Sequence, residues 1–220
     1  MPFKKAIRSD VLTYSQAHIG NEAWHTDFFD FIKNPVLKKR LGKEFWSARF
    51  IYKLLEGLHA TKTLKRAQIK LQVLQYASIY EAVIHHLLFT KYKSHSLVKE
   101  LLISTRQTAI SISASSLKRL EKETRIPKKE ISVIRKRPGK ADITKIRFDR
   151  KADAAEKIGL ITSSLRKELV ELFTARNSIH IHAEIRKGIK YQIELSKMAY
   201  RRMKPFRDCV IQQLIKDGII

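Results

Sequence analysis

The stretch LKRAQIKLQVLQYASIYEAVIHHLLFTKY, Leu64–Tyr92, decides the fold. It contains neither glycine nor proline. Ile69, Val73, Tyr76, Tyr80, Val83, Ile84 and Leu87 recur at steps of three and four, the repeat of one helix face. Leu71, Leu74 and Leu88 widen that stripe. The pattern predicts a long helix, apolar over much of its circumference, at the centre of a helical bundle.

Upstream, Phe45, Ala48, Ile51, Tyr52, Leu55 and Leu58 lie on one helical stripe that closes near Gly57. Before it, Trp24, Phe28, Phe29, Phe31 and Ile32 predict a short amphipathic helix ending at Asn34-Pro35, and Gly42 is read as closing a basic turn. Downstream, a helix is expected from about Ser96 to Leu120. Residues 121–151 then read as a basic insertion. Ile131–Ile134 and Ile143–Phe148 alternate around Arg137-Pro138-Gly139-Lys140, the pattern of a small β-hairpin. Ala152–Ile158 predicts a short helix stopped by Gly159. Ser163 or Ser164 caps the next, with Leu165, Leu169, Leu172 and Phe173 inward. A last helical pattern runs from about Ile193 to Lys216, broken or kinked at Pro205. The expectation is one mainly α domain over residues 1–220 with a small β-hairpin insertion.

Around this apolar frame, 45 Lys+Arg stand against 21 Asp+Glu, a net charge of +24 in 220 residues. Such an excess of one sign calls for a polyanionic partner. Residues 118–151 carry 14 basic and 5 acidic side chains, a net +9, and residues 185–207 carry 8 and 1, a net +7. No apolar run is long enough to span a bilayer, so no membrane partner is expected. Met1-Pro2-Phe3-Lys4-Lys5 has no apolar block behind it, which argues against a secretory leader. The single cysteine, Cys209, excludes an internal disulfide and a cysteine-rich zinc site. A cytoplasmic setting is expected.

One segment holds groups able to do chemistry: Ala175-Arg176-Asn177-Ser178-Ile179-His180-Ile181-His182-Ala183. Histidine exchanges protons near neutral pH, and arginine grips a phosphate through parallel hydrogen bonds. Together they suit transesterification of RNA without a metal: the 2′-hydroxyl attacks phosphorus, an imidazole moves the proton, and the guanidinium stabilises the phosphorane. Asn177 is placed to orient them. On a straight helix Arg176 and His180 share a face. His182 converges with Arg176 only if the helix ends or distorts near residue 180. The same residues also alternate with period two, the mark of a half-exposed strand with two surface histidines, and Arg176 alone suits a helix C-terminus.

Arg176-Asn177, with His182 separated from Arg176 by five residues, resembles the signature of the HEPN superfamily: an arginine, a polar residue and a histidine a few positions on. The long helix around Leu74–Ile84 is similar to the HEPN helix that precedes the motif helix. The likeness covers roughly residues 45–216. It implies a HEPN-like helical bundle and a metal-independent endoribonuclease with no cofactor, found in toxin–antitoxin or phage-defence systems. It further implies a homodimer in which two motifs face each other across one composite cleft; separately, the basic face suits an interaction protein whose partner is an acidic antitoxin protein that neutralises it. By position, Arg176 binds the scissile phosphate, His182 is the acid/base and Asn177 orients them. His180 departs from the family pattern as a second imidazole. Some HEPN proteins bind RNA without cleaving it, so a non-catalytic RNA-binding or regulatory protein is the alternative reading.

RNA contacts are expected from Arg186, Lys187, Lys190, Lys197, Arg201 and Arg202, with Tyr191 and Tyr200 stacking on bases. Arg135, Lys136 and Arg137, at the hairpin tip, reach a second backbone segment. Other features read as structural. His85 and His86 diverge by about 100° on a helix and cannot chelate one ion as a simple pair. Glu22-x-x-His25 and Glu56-x-x-His59 lack the further carboxylates of a di-iron bundle. Cys209 reads as a packed small hydrophobe. No metal site is expected.

Overall fold

The computed structural model describes residues 4–220, the side chain of Arg106 excepted; Met1–Phe3, the start of the stretch read for a leader, lie outside it. In chain order the helices begin with α1 (Lys5–Ala17), α2 (Glu22–Asp27), α3 (Pro35–Gly57) and α4 (Lys62–His86), which runs into a π-helical turn at Leu87–Lys91. After α5 (Ser96–Leu101), strand β1 (Ile103–Ala109), α6 (Ala114–Thr124) and strand β2 (Ile134–Lys140) come α7 (Phe148–Ile158), α8 (Ser163–Asn177), α9 (Ile181–Lys187), α10 (Ile193–Arg201) and α11 (Met203–Lys216). The fold is thus mainly helical with a small antiparallel sheet. No described helix is long and apolar enough to cross a membrane.

The chain forms two compact units. The larger comprises the residues up to Tyr92 together with Arg147–Ile220. In it α4 takes the central place the periodicity predicts, packing against α3, α7, α8 and α10. Ile69, Val73, Tyr76, Tyr80, Val83, Ile84, Leu87 and Leu88 are buried along its length. Each such aliphatic side chain contributes about 1.5–3 kcal/mol through burial. Leu71 and Leu74, which the stripe also claims, are exposed. Tyr80 carries a polar tip into this core and satisfies it by donating to the Ala199 carbonyl at 2.7 Å.

Local sequence explains most of the boundaries. Asn34 does not end a helix. It caps α3, its side chain accepting from the Leu37 amide at 3.0 Å, and Pro35 occupies the first helical turn, where its missing N–H costs nothing. α2 ends earlier, at Asp27. Thr162, one residue before the predicted serines, caps α8. Gly159 closes α7 at φ +96, as predicted. The long C-terminal pattern breaks between Arg201 and Met203, because the ring of Pro205 cannot share a helix with the carbonyl four residues before it, that of Arg201.

Gly42 is no turn. It lies inside α3, buried, where α2 crosses closely, and a β-carbon added there would meet the Thr26 Cα at 2.6 Å. Alanine would gain about 0.5–1 kcal/mol of helix propensity. It would also force two packed backbones apart, which costs about 1–3 kcal/mol. The clash should win: Gly42→Ala is expected to lower the urea midpoint, whereas Gly188→Ala, with open space around it, should cost only its left-handed φ.

The smaller unit spans Lys93–Ile146. Its strands pair antiparallel from Ile103 opposite Lys140 to Ala109 opposite Ile134. The predicted hairpin therefore has a different partner. Residues 131–134 do not pair with 143–148, and the expected turn Arg137–Lys140 is itself strand. The helix expected across Ser96–Leu120 is interrupted by β1. A two-stranded ladder leaves each strand an open edge, where proline such as Pro138 is tolerated. Arg135, Lys136 and Arg137 accordingly lie along an exposed strand and not at a tip.

Candidate functional site

α8 buries Leu165, Leu169, Leu172 and Ala175 and ends at Asn177. Ser178, fully buried, turns its hydroxyl back onto the Thr174 carbonyl at 2.7 Å. The backbone is extended at His180, and α9 begins at Ile181. The break required for Arg176 and His182 to converge is therefore present, and the segment is turn and helix in place of the period-two strand.

Arg176, half-buried in the last turn of α8, points at α4. One guanidinium nitrogen donates to Glu81 Oε2 at 3.4 Å, and the group lies 5.0 Å from the Phe173 ring centre. Phe173 stacks in turn on Phe148 of α7, centroids 4.4 Å apart. The other oxygen of Glu81 takes Lys151 Nζ at 3.5 Å, and the Lys151 side chain is only 2% exposed. Glu81 thus holds two cations, one per oxygen. His85 follows one turn later on α4, its pKa lowered by burial first and by the Lys151 charge second. Both effects favour its uncharged form.

A second set of contacts pins the far side of the segment. Glu184 on α9 is buried and paired with Arg66 and with Lys70, the latter at 2.7 Å. Hydrogen bonds from Lys70 and Arg66 hold its carboxyl below the usual carboxylate range. Tyr191 donates to the Ala175 carbonyl at 2.8 Å, with Lys70 Nζ 5.0 Å from its ring centre. Arg66, Lys70, Glu81 and His85 share one face of α4 by helical spacing. That face holds Arg176 at one end and Glu184 at the other. Tyr191 is consequently a buried anchor and not a stacking platform.

Asn177, His180 and His182 are exposed. Neither imidazole makes a hydrogen bond or ion pair with a described residue, and no hydrogen bond joins His182 to Arg176. Ile181 and Ile185 flank His182 on α9 at 71% and 73% exposure, an apolar pair left open to solvent. The described Arg186, Lys187, Lys190, Lys197, Arg201, Arg135, Lys136 and Arg137 form no ion pair with described residues. Arg202 differs: Glu168 grips its guanidinium through two bonds of 2.6 Å.

Glu81 and Lys151 escaped the motif reading. The signal was present for Glu81, the sole acidic residue between Lys62 and Tyr92 and set on an apolar helix. Lys151 gave none, being one cation among many.

Burial also sets the pH response. His25 is fully buried, its Nδ1 on the Asn21 carbonyl at 2.8 Å and its Nε2 accepting from Arg49 at 3.1 Å. Its pKa is lowered by desolvation, against the raising effect of the Asn21 bond, and those of His85 and His86 are likewise lowered chiefly by desolvation. A lowered histidine pKa means that the unfolded chain takes up a proton first. The stabilisation is thus complete above the ordinary value of about 6.5 and lost as pH falls towards the folded value. Tm is expected to fall by roughly 2–5 °C between pH 7.5 and 5.5. His25→Gln should flatten that dependence, and an unchanged slope would remove His25 as its source.

No family model matches the chain, and no curated protein or solved structure matches it significantly.

Proposed function

We propose that this protein is a metal-independent endoribonuclease of the HEPN type, acting in a toxin–antitoxin or phage-defence setting. The observation that carries the reading is the break after Asn177, which leaves Arg176 fixed by Glu81 and His182 exposed on the next helix, beside unpaired cations. Arg176 uses one nitrogen on Glu81 and keeps further N–H donors for a phosphate. In the reaction the RNA 2′-oxygen forms a bond to phosphorus and gives up its proton to a base, the 5′-oxygen bond breaks, and the leaving oxygen is protonated. The products are a 2′,3′-cyclic phosphate and a 5′-hydroxyl. His182 moves the proton, with His180 as the neighbouring candidate, Arg176 stabilises the phosphorane, and Asn177 orients the group.

A homodimer built on α9 would bury Ile181 and Ile185 and set two motifs across one cleft. Arg186, Lys187, Lys190, Lys197 and Arg201 would hold RNA, the strand Arg135–Arg137 of the smaller unit would contact it in its own right, and an acidic antitoxin would neutralise such charges. The missing hydrogen bond between Arg176 and His182 favours a second reading, an RNA-binding or regulatory protein without catalysis. The two separate in one assay: a mixed RNA pool with EDTA present. Fragments ending in cyclic phosphate support the nuclease. Intact RNA with salt-dependent binding supports the second reading.

A further inference from the structure

On the other side of α4 lies a groove that the Arg176 motif does not touch. Tyr76 and Glu81 are five residues apart, about 140° around the helix. Tyr76 faces a cleft of about 340 Å³ also lined by Arg49, Tyr52, Lys197, Tyr200 and Arg201. A second cleft of about 520 Å³ adjoins it, walled by Trp24, Phe28, Phe45 and Lys204. Tyr200 and Arg201 line both, so the two form one groove with a shared divide.

Three features of this groove ask for a ligand. Trp24 and Tyr200 are 51% and 43% exposed, although both are large rings set against the core ring of Phe45. Arg49 lies between them, its guanidinium carbon 5.6 Å from the Trp24 ring centre and 5.5 Å from that of Tyr200. The Tyr76 phenol lines the cleft and makes no hydrogen bond with a described residue, so its hydroxyl is a donor and acceptor available to a molecule bound there. Lys197 and Arg201, at the rim, form no ion pair with described residues, while Lys53 and Lys204 are neutralised by Glu56 and Asp208.

We infer that this groove binds single-stranded nucleic acid, one unpaired base in each cleft. Flat rings left open accept bases of any sequence, and a divide carrying free cations suits the phosphate between two stacked bases. A duplex offers no free base faces to Trp24 and Tyr200. The strand is bound whether or not Arg176 cuts it, so the inference does not rest on the nuclease reading.

Trp24 and Trp46 are the two tryptophans, so a Trp46→Phe protein reports on Trp24 alone. Arg176→Ala is added to remove any cleavage. Its fluorescence is titrated with oligo(rU), oligo(dT) and an RNA duplex, each of about 12 nucleotides. Oligo(rU), oligo(dT) or both should quench Trp24, and which of them does so names the strand as RNA, DNA or either. Lys197→Gln and Arg201→Gln together, and Tyr200→Ala separately, should each weaken binding about tenfold. The first pair lies at the rim and spares the core. The inference is overturned if no single strand quenches Trp24, if the duplex binds as tightly, or if the rim variants bind unchanged. Equal quenching by poly(glutamate) would also overturn it, since the groove would then read charge alone.

Discussion

Glu81→Ala is expected to destabilise the protein by about 3 kcal/mol, a large part of an ordinary domain's margin. The cost arises mainly in the partner. Lys151 keeps its ammonium in a nearly closed site, and Glu81 is its one anion among the described residues. Without Glu81 that charge stays buried and uncompensated, and Arg176 stands beside it as a second positive charge. Because the Glu81 carboxylate is itself about a quarter exposed, the expected value lies at the low end for a broken buried pair. Lys151→Met should be nearly neutral, since methionine fills the stem's volume and leaves Glu81 paired with Arg176. The double variant Glu81→Ala, Lys151→Met should recover most of the loss. Urea midpoints for the four proteins measure this cycle. A Glu81→Ala midpoint equal to that of the parent would mean that the ammonium reaches water, and the argument would fail.

What could be read from the sequence followed from local repetition. The stripes on α3 and α4 are set by near neighbours along one helix, so Phe45, Ala48, Val73, Tyr76 and Tyr80 all turn inward as their spacing demands. The stop at Gly159 is likewise local chemistry, whereas Asn34-Pro35, read as a helix end, opens α3. Features decided by a distant partner were hidden. β2 pairs with β1 across α6, and no periodicity within 131–148 distinguishes that partner from the nearer run. Gly42 looks like a turn until Thr26 arrives from another helix. Leu71 and Leu74 fit the apolar stripe but face no packed neighbour that buries them. At the candidate site the motif residues could be named, yet the network that orders them could not. Glu81 and Lys151 are drawn from α4 and α7, and their meeting depends on how those helices pack. The groove was hidden for the same reason. Trp24, Arg49 and Tyr200 come from three helices, and only Lys197, Arg201 and Tyr200 stood out in a basic run. The net charge of +24 thus divides into cations that hold the fold, such as Lys70, Lys151 and Arg202, and cations such as Lys197 and Arg201 that form no ion pair with described residues.

Arg176→Ala and His182→Ala should each reduce RNA cleavage far beyond any effect on folding. Loss of a preorganised donor to a developing oxyanion costs about 10²–10³ in rate, and loss of a positioned general acid or base about 10²–10⁴. Stability should hardly move. His182 is exposed and makes no hydrogen bond with described residues, and when Arg176 is removed Glu81 still has Lys151. Arg176→Lys keeps the charge but gives up the two-pronged grip, so it should fall between parent and alanine. His180→Ala and His85→Ala test the other imidazoles. Full activity in His182→Ala with a dead His85→Ala would move the proton transfer to His85, one turn from Glu81 on α4. Full activity in both Arg176→Ala and His182→Ala would make the motif structural. Mixing the two alanine variants then tests the composite cleft. If Arg176 of one copy works with His182 of the other, a mixed dimer holds one intact site and one doubly defective site. Random exchange of two inactive proteins should restore roughly a quarter of parental activity. If both groups must come from the same chain, the mixture stays inactive at every ratio.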